Sequence, residues 1–114
     1  MLENLNGLPV SGLGKRATGS TVEFKFTTAL NGLPTSLAGS PVVSVYKAGT
    51  TTPITSGVTL TQDYHSTPGL NDVTIVATVG NGFAAGSDYE ATITTGTLGG
   101  VSMVGCVVGR FSLV

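Results

Sequence analysis

The chain has no tryptophan, one cysteine and one histidine, and only 10% of its 114 residues are charged. Each shortage removes a class of function. A lone Cys106 forms no disulfide within the chain, and zinc sites built from cysteine pairs are excluded with it. A nucleophilic cysteine needs a base beside it, and His65 is the only imidazole on offer. His65 stands in "QDYHSTPG", among turn formers, where an exposed ring is expected. Five Lys and Arg against six Asp and Glu give a net charge of −1. Scattered as they are, the cations make no basic face for nucleic acid or a membrane surface. No apolar run approaches the roughly 20 residues that cross a bilayer. "MLENLNGLPVSGLG" lacks the basic start and apolar core of a signal peptide. A soluble, unprocessed chain made in a host cytoplasm is expected, with no metal and no cofactor.

The acids are equally sparse. Asp63, Asp72, Asp88 and Glu90 match no calcium-loop spacing, so turn and capping roles are expected of them. Glycosidase chemistry needs two carboxylates at a set distance beside a cleft, which a small β domain rarely encloses. With 6% aromatics, the chain has no platform on which a sugar would stack. No catalytic constellation is present, and the chain is not expected to be an enzyme.

What is abundant is glycine, 17 residues, and short runs of alternating polarity. In "TVEFKFTT", Val22, Phe24 and Phe26 point one way and Glu23 and Lys25 the other, the period of a half-buried strand. "PVVSVYK" sets Val43 and Val45 against Tyr46. "GVTLTQDY" pairs Val58 with Leu60, "NDVTIVATV" aligns Val73, Ile75, Ala77 and Val79, and "DYEATITT" aligns Tyr89, Ala91 and Ile93. Turn residues crowd the segments between. Six or seven short strands at this spacing predict an all-β antiparallel sandwich or small barrel in one domain, over residues 19–114, because parallel sheets need helical crossovers.

Residues 1–18, "MLENLNGLPVSGLGKRAT", hold several glycine and proline breaks and no sustained period, so an irregular N-terminal arm is expected. Leu2, Leu5, Leu8, Val10 and Leu13 give that arm enough apolar surface to grip a partner. At the other end, "GVSMVGCVVGRFSLV" is read as one strand with two apolar faces. Val101, Met103, Val107, Phe111 and Leu113 make the first, and Val104, Cys106 and Val108 the second. A strand apolar on both sides is covered on both, here by the second sheet and by the arm or a neighbouring subunit. Val104, Cys106 and Val108 are therefore the candidate contact of a homo-oligomer. Gly105 and Gly109 permit a bulge or a close backbone approach.

Two resemblances follow from these residues. "FAAGSDYEATI" resembles the tyrosine corner of fibronectin type III domains, with Phe83, a turn at Gly86, and Tyr89 opening the penultimate strand. It implies an Ig-like sandwich in which the Tyr89 hydroxyl returns to the backbone upstream. Ala91 stands where antibody domains have their second cysteine, so only the disulfide-free branch fits. The order "GSTVEFKFTT", "PVVSVYKAGTT", "SGVTLTQDY", "GLNDVTIVAT", "AAGSDYEATITTGTLGGVSMVGCVVGRFSL" is similar to small virion-associated proteins of tailed bacteriophages. That resemblance implies a virion structural protein, foremost a capsid decoration or cement protein that binds the major capsid protein or other virion subunits. A tail, neck or fibre-associated adhesion module for a host-surface glycan or protein is the alternative it implies.

Overall fold

A computed structural model describes residues 11 to 114. Its strands in chain order are β1 (Ser11–Arg16), β2 (Thr21–Thr27), β3 (Ala29–Leu30), β4 (Leu33–Pro34) and β5 (Ala38–Lys47), then β6 (Val58–Thr61), β7 (Leu70–Val76), β8 (Asp88–Leu98), β9 (Val101–Ser102) and β10 (Val107–Leu113). Single 3-10 turns stand at Tyr64–Ser66 and Val79–Asn81. One sheet has the order β1-β10-β8-β5, with β9 added to β8; the other is β2-β7-β6; β3 and β4 form a separate hairpin. Between β2 and β8 the chain changes sheet three times, which is the connectivity of an Ig-like β-sandwich.

The core follows from the alternation. β2 buries Val22, Phe24 and Phe26 and exposes the residues between them. Val73 and Ile75 from β7, Val43 and Val45 from β5, Tyr89, Ala91 and Ile93 from β8, and Val108, Phe111 and Leu113 from β10 close on the same cluster. Each large side chain so buried contributes about 1.5–3 kcal/mol. The two sheets come close where Gly109 meets Phe24: a Cβ on Gly109 would lie 2.6 Å from the ring's Cζ. At the same point the β10–β8 ladder shifts register, between Val107 and Gly109. A bulge and a bare backbone together make room for the ring.

Two tight hairpins rest on left-handed turn residues. Asn31 and Gly32 (φ 53° and 78°) join β3 to β4, and Gly99 and Gly100 (φ 58° and 81°) join β8 to β9. Positive φ at both central positions is the type I′ geometry, whose twist suits a two-residue hairpin.

Four expectations are corrected. Residues 11–16, assigned to the irregular arm, form β1, which runs parallel to β10 with Ser11 opposite Gly109 and Arg16 opposite Leu113. Leu13 packs against the core from this strand, so it is no part of a partner-gripping arm. Leu2, Leu5, Leu8 and Val10 lie outside the described residues. β1 also makes the sandwich not wholly antiparallel. Val79 leaves the face of Val73, Ile75 and Ala77 because the chain turns into a 3-10 turn there, and it is 72% exposed. Finally, residues 101–114 are not one strand. Gly105 (φ 97°) sits in a turn, closed by the Cys106 amide donating to the Met103 carbonyl at 3.2 Å, that separates β9 from β10. Val104 is exposed in that turn, Cys106 is half-buried, and Val108 is wholly inside the core. The three share no face, because a period of two holds only along an unbroken strand.

Candidate functional site

Three places in the sandwich carry distinctive chemistry, and the first is structural. Tyr89 is 1% exposed, and its hydroxyl accepts the Ala84 amide proton at 2.8 Å and donates to the Ala84 carbonyl at 3.4 Å. Phe83 packs on its ring at 5.1 Å, and Phe111, placed by the sequence on an apolar face of the last strand but not in the corner, stacks on it at 5.4 Å. Gly86 (φ 82°) donates its amide to the Leu113 carbonyl at 2.7 Å. Phe83, Gly86 and Tyr89 together tie the β7–β8 connection to the last strand. Tyr89→Phe is expected to keep the fold and lose about 1 kcal/mol, the net worth of one hydrogen bond, or more if the Ala84 amide is left unpaired. Thermal unfolding checks this; an unchanged Tm would show that the hydroxyl carries no load.

The second place is a groove of about 520 Å³ on the outer face of the β1-β10-β8-β5 sheet, walled by Gly12, Gly14 and Gly49. Its charged lining is paired within itself. Arg110 Nε lies 3.1 Å from Glu90 Oε2, and Ser112 donates to Asp88 Oδ1. Both members of the Arg110–Glu90 pair are largely exposed, so it adds at most about 1 kcal/mol to stability. Chemically the groove is an open shelf of mixed polarity, with Ala48 and Phe111 beside the charged groups. The other acids serve the frame. Asp63 accepts from Ser36 Oγ at 2.8 Å and from the Gly69 amide at 3.1 Å. Asp72 accepts from Lys25 Nζ at 3.2 Å, and the same ammonium lies 4.5 Å from the Tyr64 ring centroid. That hydrogen bond to Asp72 holds the Lys25 pKa above its ordinary value. His65 stands exposed beside Tyr64, at φ 56°. Among the described residues, no three His, Cys, Asp or Glu side chains gather into a metal site.

The third place is one end of the sandwich. Residues 26–46 and 91–109 contain no Asp, Glu, Lys, Arg or His. The topology brings these two stretches together. The first supplies the β3–β4 hairpin and most of β5; the second supplies most of β8, β9 and the turn before β10. The hairpins touch, because the Leu30 side chain lies where a Cβ on Gly99 would be, 2.7 Å from its Cδ2. Leu33 (69% exposed), Val101 (64%) and Val104 (59%) stand out from this end, with Leu30 and Val42 less exposed beside them. Large apolar side chains grouped at one end mark a protein–protein contact, and Asp63, held by Ser36, borders this end with His65 on the same loop. Of the predicted contact residues, Val104 belongs to this surface and Val108 does not. Leu30, Leu33 and Val101 were missed as a group. Their signal was the absence of charge from two distant stretches, which only the topology joins.

No protein-family model, curated protein or solved structure matches the chain.

Proposed function

We propose that the chain is a bacteriophage virion structural protein, a decoration or cement protein that sits on the capsid surface and docks on the major capsid protein. The observation that supports this reading most is the end of the sandwich where Leu30, Leu33, Val42, Val101 and Val104 are exposed. A small, stably cored sandwich presenting one such end is built to be carried on a larger surface. The strand-by-strand resemblance of residues 19–113 to phage virion-associated proteins supplies the kind of surface. In this reading the sandwich is a rigid mount, and the Tyr89 corner keeps the opposite end from spreading.

The test is attachment to purified particles. Leu33→Asp combined with Val101→Asp places two charges in the contact and removes two apolar anchors. Burying an apolar side chain of this size is worth about 1.5–3 kcal/mol, so losing two weakens binding by more than about a hundredfold. Both side chains are exposed in the free domain, so its Tm is expected to hold. Co-sedimentation of the variant at wild-type affinity would remove this end as the docking surface.

The groove supports a second reading, a tail, neck or fibre-associated adhesion module that takes a host-surface glycan on the Glu90–Arg110 shelf. Glu90→Gln with Arg110→Gln then abolishes cell attachment and leaves particle docking intact; unaltered attachment counts against it.

A further inference from the structure

We infer that Ser40, His65 and Ser66 are polar contact residues of the apolar end, a hydrogen-bonding rim that sets how the capsid partner is seated. The inference rests on the docking reading above and adds residues to it. Five non-glycine residues among those described have a left-handed backbone, Asn31, Ser40, Asp63, His65 and Ser66, with φ between 53° and 58°. A Cβ in that region crowds the following carbonyl, a penalty that glycine escapes. Away from this end, the positive φ values among the described residues all fall on glycine, at Gly14, Gly19, Gly49, Gly57, Gly82 and Gly86. The five exceptions lie at the apolar end or on its border.

Their placement follows from the hydrogen bonds. Asn31 is at the tip of the β3–β4 hairpin, between Leu30 and Leu33. Ser40 stands in the irregular start of β5, where the ladder to β8 shifts register between Ala38 and Val42. Asp63, His65 and Ser66 belong to the loop 62–69, which is fastened to both legs of that hairpin. Gln62 Nε2 donates to the Leu37 carbonyl at 3.2 Å, Ser36 Oγ to Asp63 Oδ2 at 2.8 Å, and the Thr28 amide to the Gly69 carbonyl at 2.9 Å. The loop is thus held at the base of the hairpin that carries Leu30 and Leu33.

Two of the five have a local reason. Asn31 makes the two-residue turn with Gly32, a position that asparagine tolerates. Asp63 uses both carboxylate oxygens, one for Ser36 Oγ and one for the Gly69 amide. Ser40, His65 and Ser66 have no such reason. Each is exposed, and among the described residues no hydrogen bond engages their side chains; the Thr67 hydroxyl reaches only the main-chain carbonyl of His65. Glycine would serve the fold better at these three positions, so their side chains answer to something outside it. Strained conformations of this kind cluster at sites that bind. An imidazole and two hydroxyls both donate and accept hydrogen bonds without a fixed charge. The charges close by are matched already, Asp63 as above and Lys25, which lies over the Tyr64 ring, by Asp72. The three residues therefore suit uncharged polar groups of the capsid protein, its exposed main chain foremost, around the anchors Leu33, Val101 and Val104. An apolar centre with a polar rim is the usual anatomy of a contact.

Two triple variants of the full chain test this, each measured for thermal unfolding and for attachment to purified particles. Ser40→Ala, His65→Ala and Ser66→Ala together remove the side chains and keep the left-handed penalty. Tm is then expected to stay near the parent's while attachment weakens by at least about tenfold, the worth of a few modest hydrogen bonds. Ser40→Gly, His65→Gly and Ser66→Gly together lift the penalty as well, so Tm is expected to rise by a few degrees with the same loss of attachment. A more stable protein that binds less is a pattern that damage to the fold would not give. A fall in Tm with the glycines overturns the inference, because the side chains then hold the fold. Attachment lost with the glycines alone also overturns it, since loop flexibility is then the cause. If both variants attach like the parent while Leu33→Asp with Val101→Asp does not, the inference fails and the docking reading stands. If all three attach like the parent, both fail.

Discussion

Gly109→Val is expected to be among the most destabilising single substitutions in the domain, costing about 3 kcal/mol or more. Its first carbon would fall 2.6 Å from Phe24 Cζ and 2.9 Å from Cε2, distances no packed side chain tolerates. Overpacking a core typically costs about 1–3 kcal/mol, and valine's branches add to what a bare methyl would do. The ring cannot retreat, because Phe24 belongs to the buried row of β2 and the sheets close on it from both sides. Urea unfolding of Gly109→Ala, Phe24→Leu and the double variant isolates the cause. The two losses are expected to be strongly sub-additive, since the smaller side chain makes room for the methyl. Fully additive losses would mean that the strain at Gly109 lies in the β10 bulge and owes nothing to the ring.

Asn71→Asp is expected to be as damaging at neutral pH and to recover in acid. Asn71 is wholly buried, and its Nδ2 reaches three oxygens, the Phe26 carbonyl at 3.3 Å, Thr28 Oγ1 at 3.2 Å and the Gly69 carbonyl at 3.3 Å. It ties the end of β2 to the start of β7 and to the loop that leads from β6 into it. Among the described residues, its Oδ1 has no partner. A carboxylate at this position would turn an acceptor toward three acceptors in a fully buried site, a cost of several kcal/mol. Burial and those oxygens would raise its pKa above the unfolded value of about 3.9. The sign follows from linkage. A carboxyl whose folded pKa is raised has its full stability below the unfolded value and loses it as pH rises through the folded one. Thermal unfolding from pH 3 to pH 7 is thus expected to show the gap between variant and parent widening with pH. A constant gap would contradict the buried charge.

Several elements were legible in the residues themselves. Period-two alternation marks β2 and the start of β8 without ambiguity, because a half-buried strand allows no other arrangement of Val22, Phe24 and Phe26 against Glu23 and Lys25. The close approach at Gly109 was readable from a missing side chain in an apolar run. β1 was not, because its pairing partner lies at the far end of the chain and its own glycines read as breaks. The β3–β4 hairpin carried a recognisable Asn31-Gly32 turn, obscured by strands of only two residues. Val104 and Val108 were placed on one face because nothing local weighs Gly105 as a turn against Gly105 as a bulge. The apolar end was visible only as two separate uncharged stretches. Sequence shows that they lack charge; topology makes them one surface.

A reconstruction of the purified phage particle tests the docking assignment most directly. The expected result is density for this sandwich in many copies over the head, with the end bearing Leu30, Leu33, Val101 and Val104 against the capsid lattice and the Tyr89 corner pointing outward. Particles that lack the protein, or that hold it with this end facing solvent, would contradict the assignment.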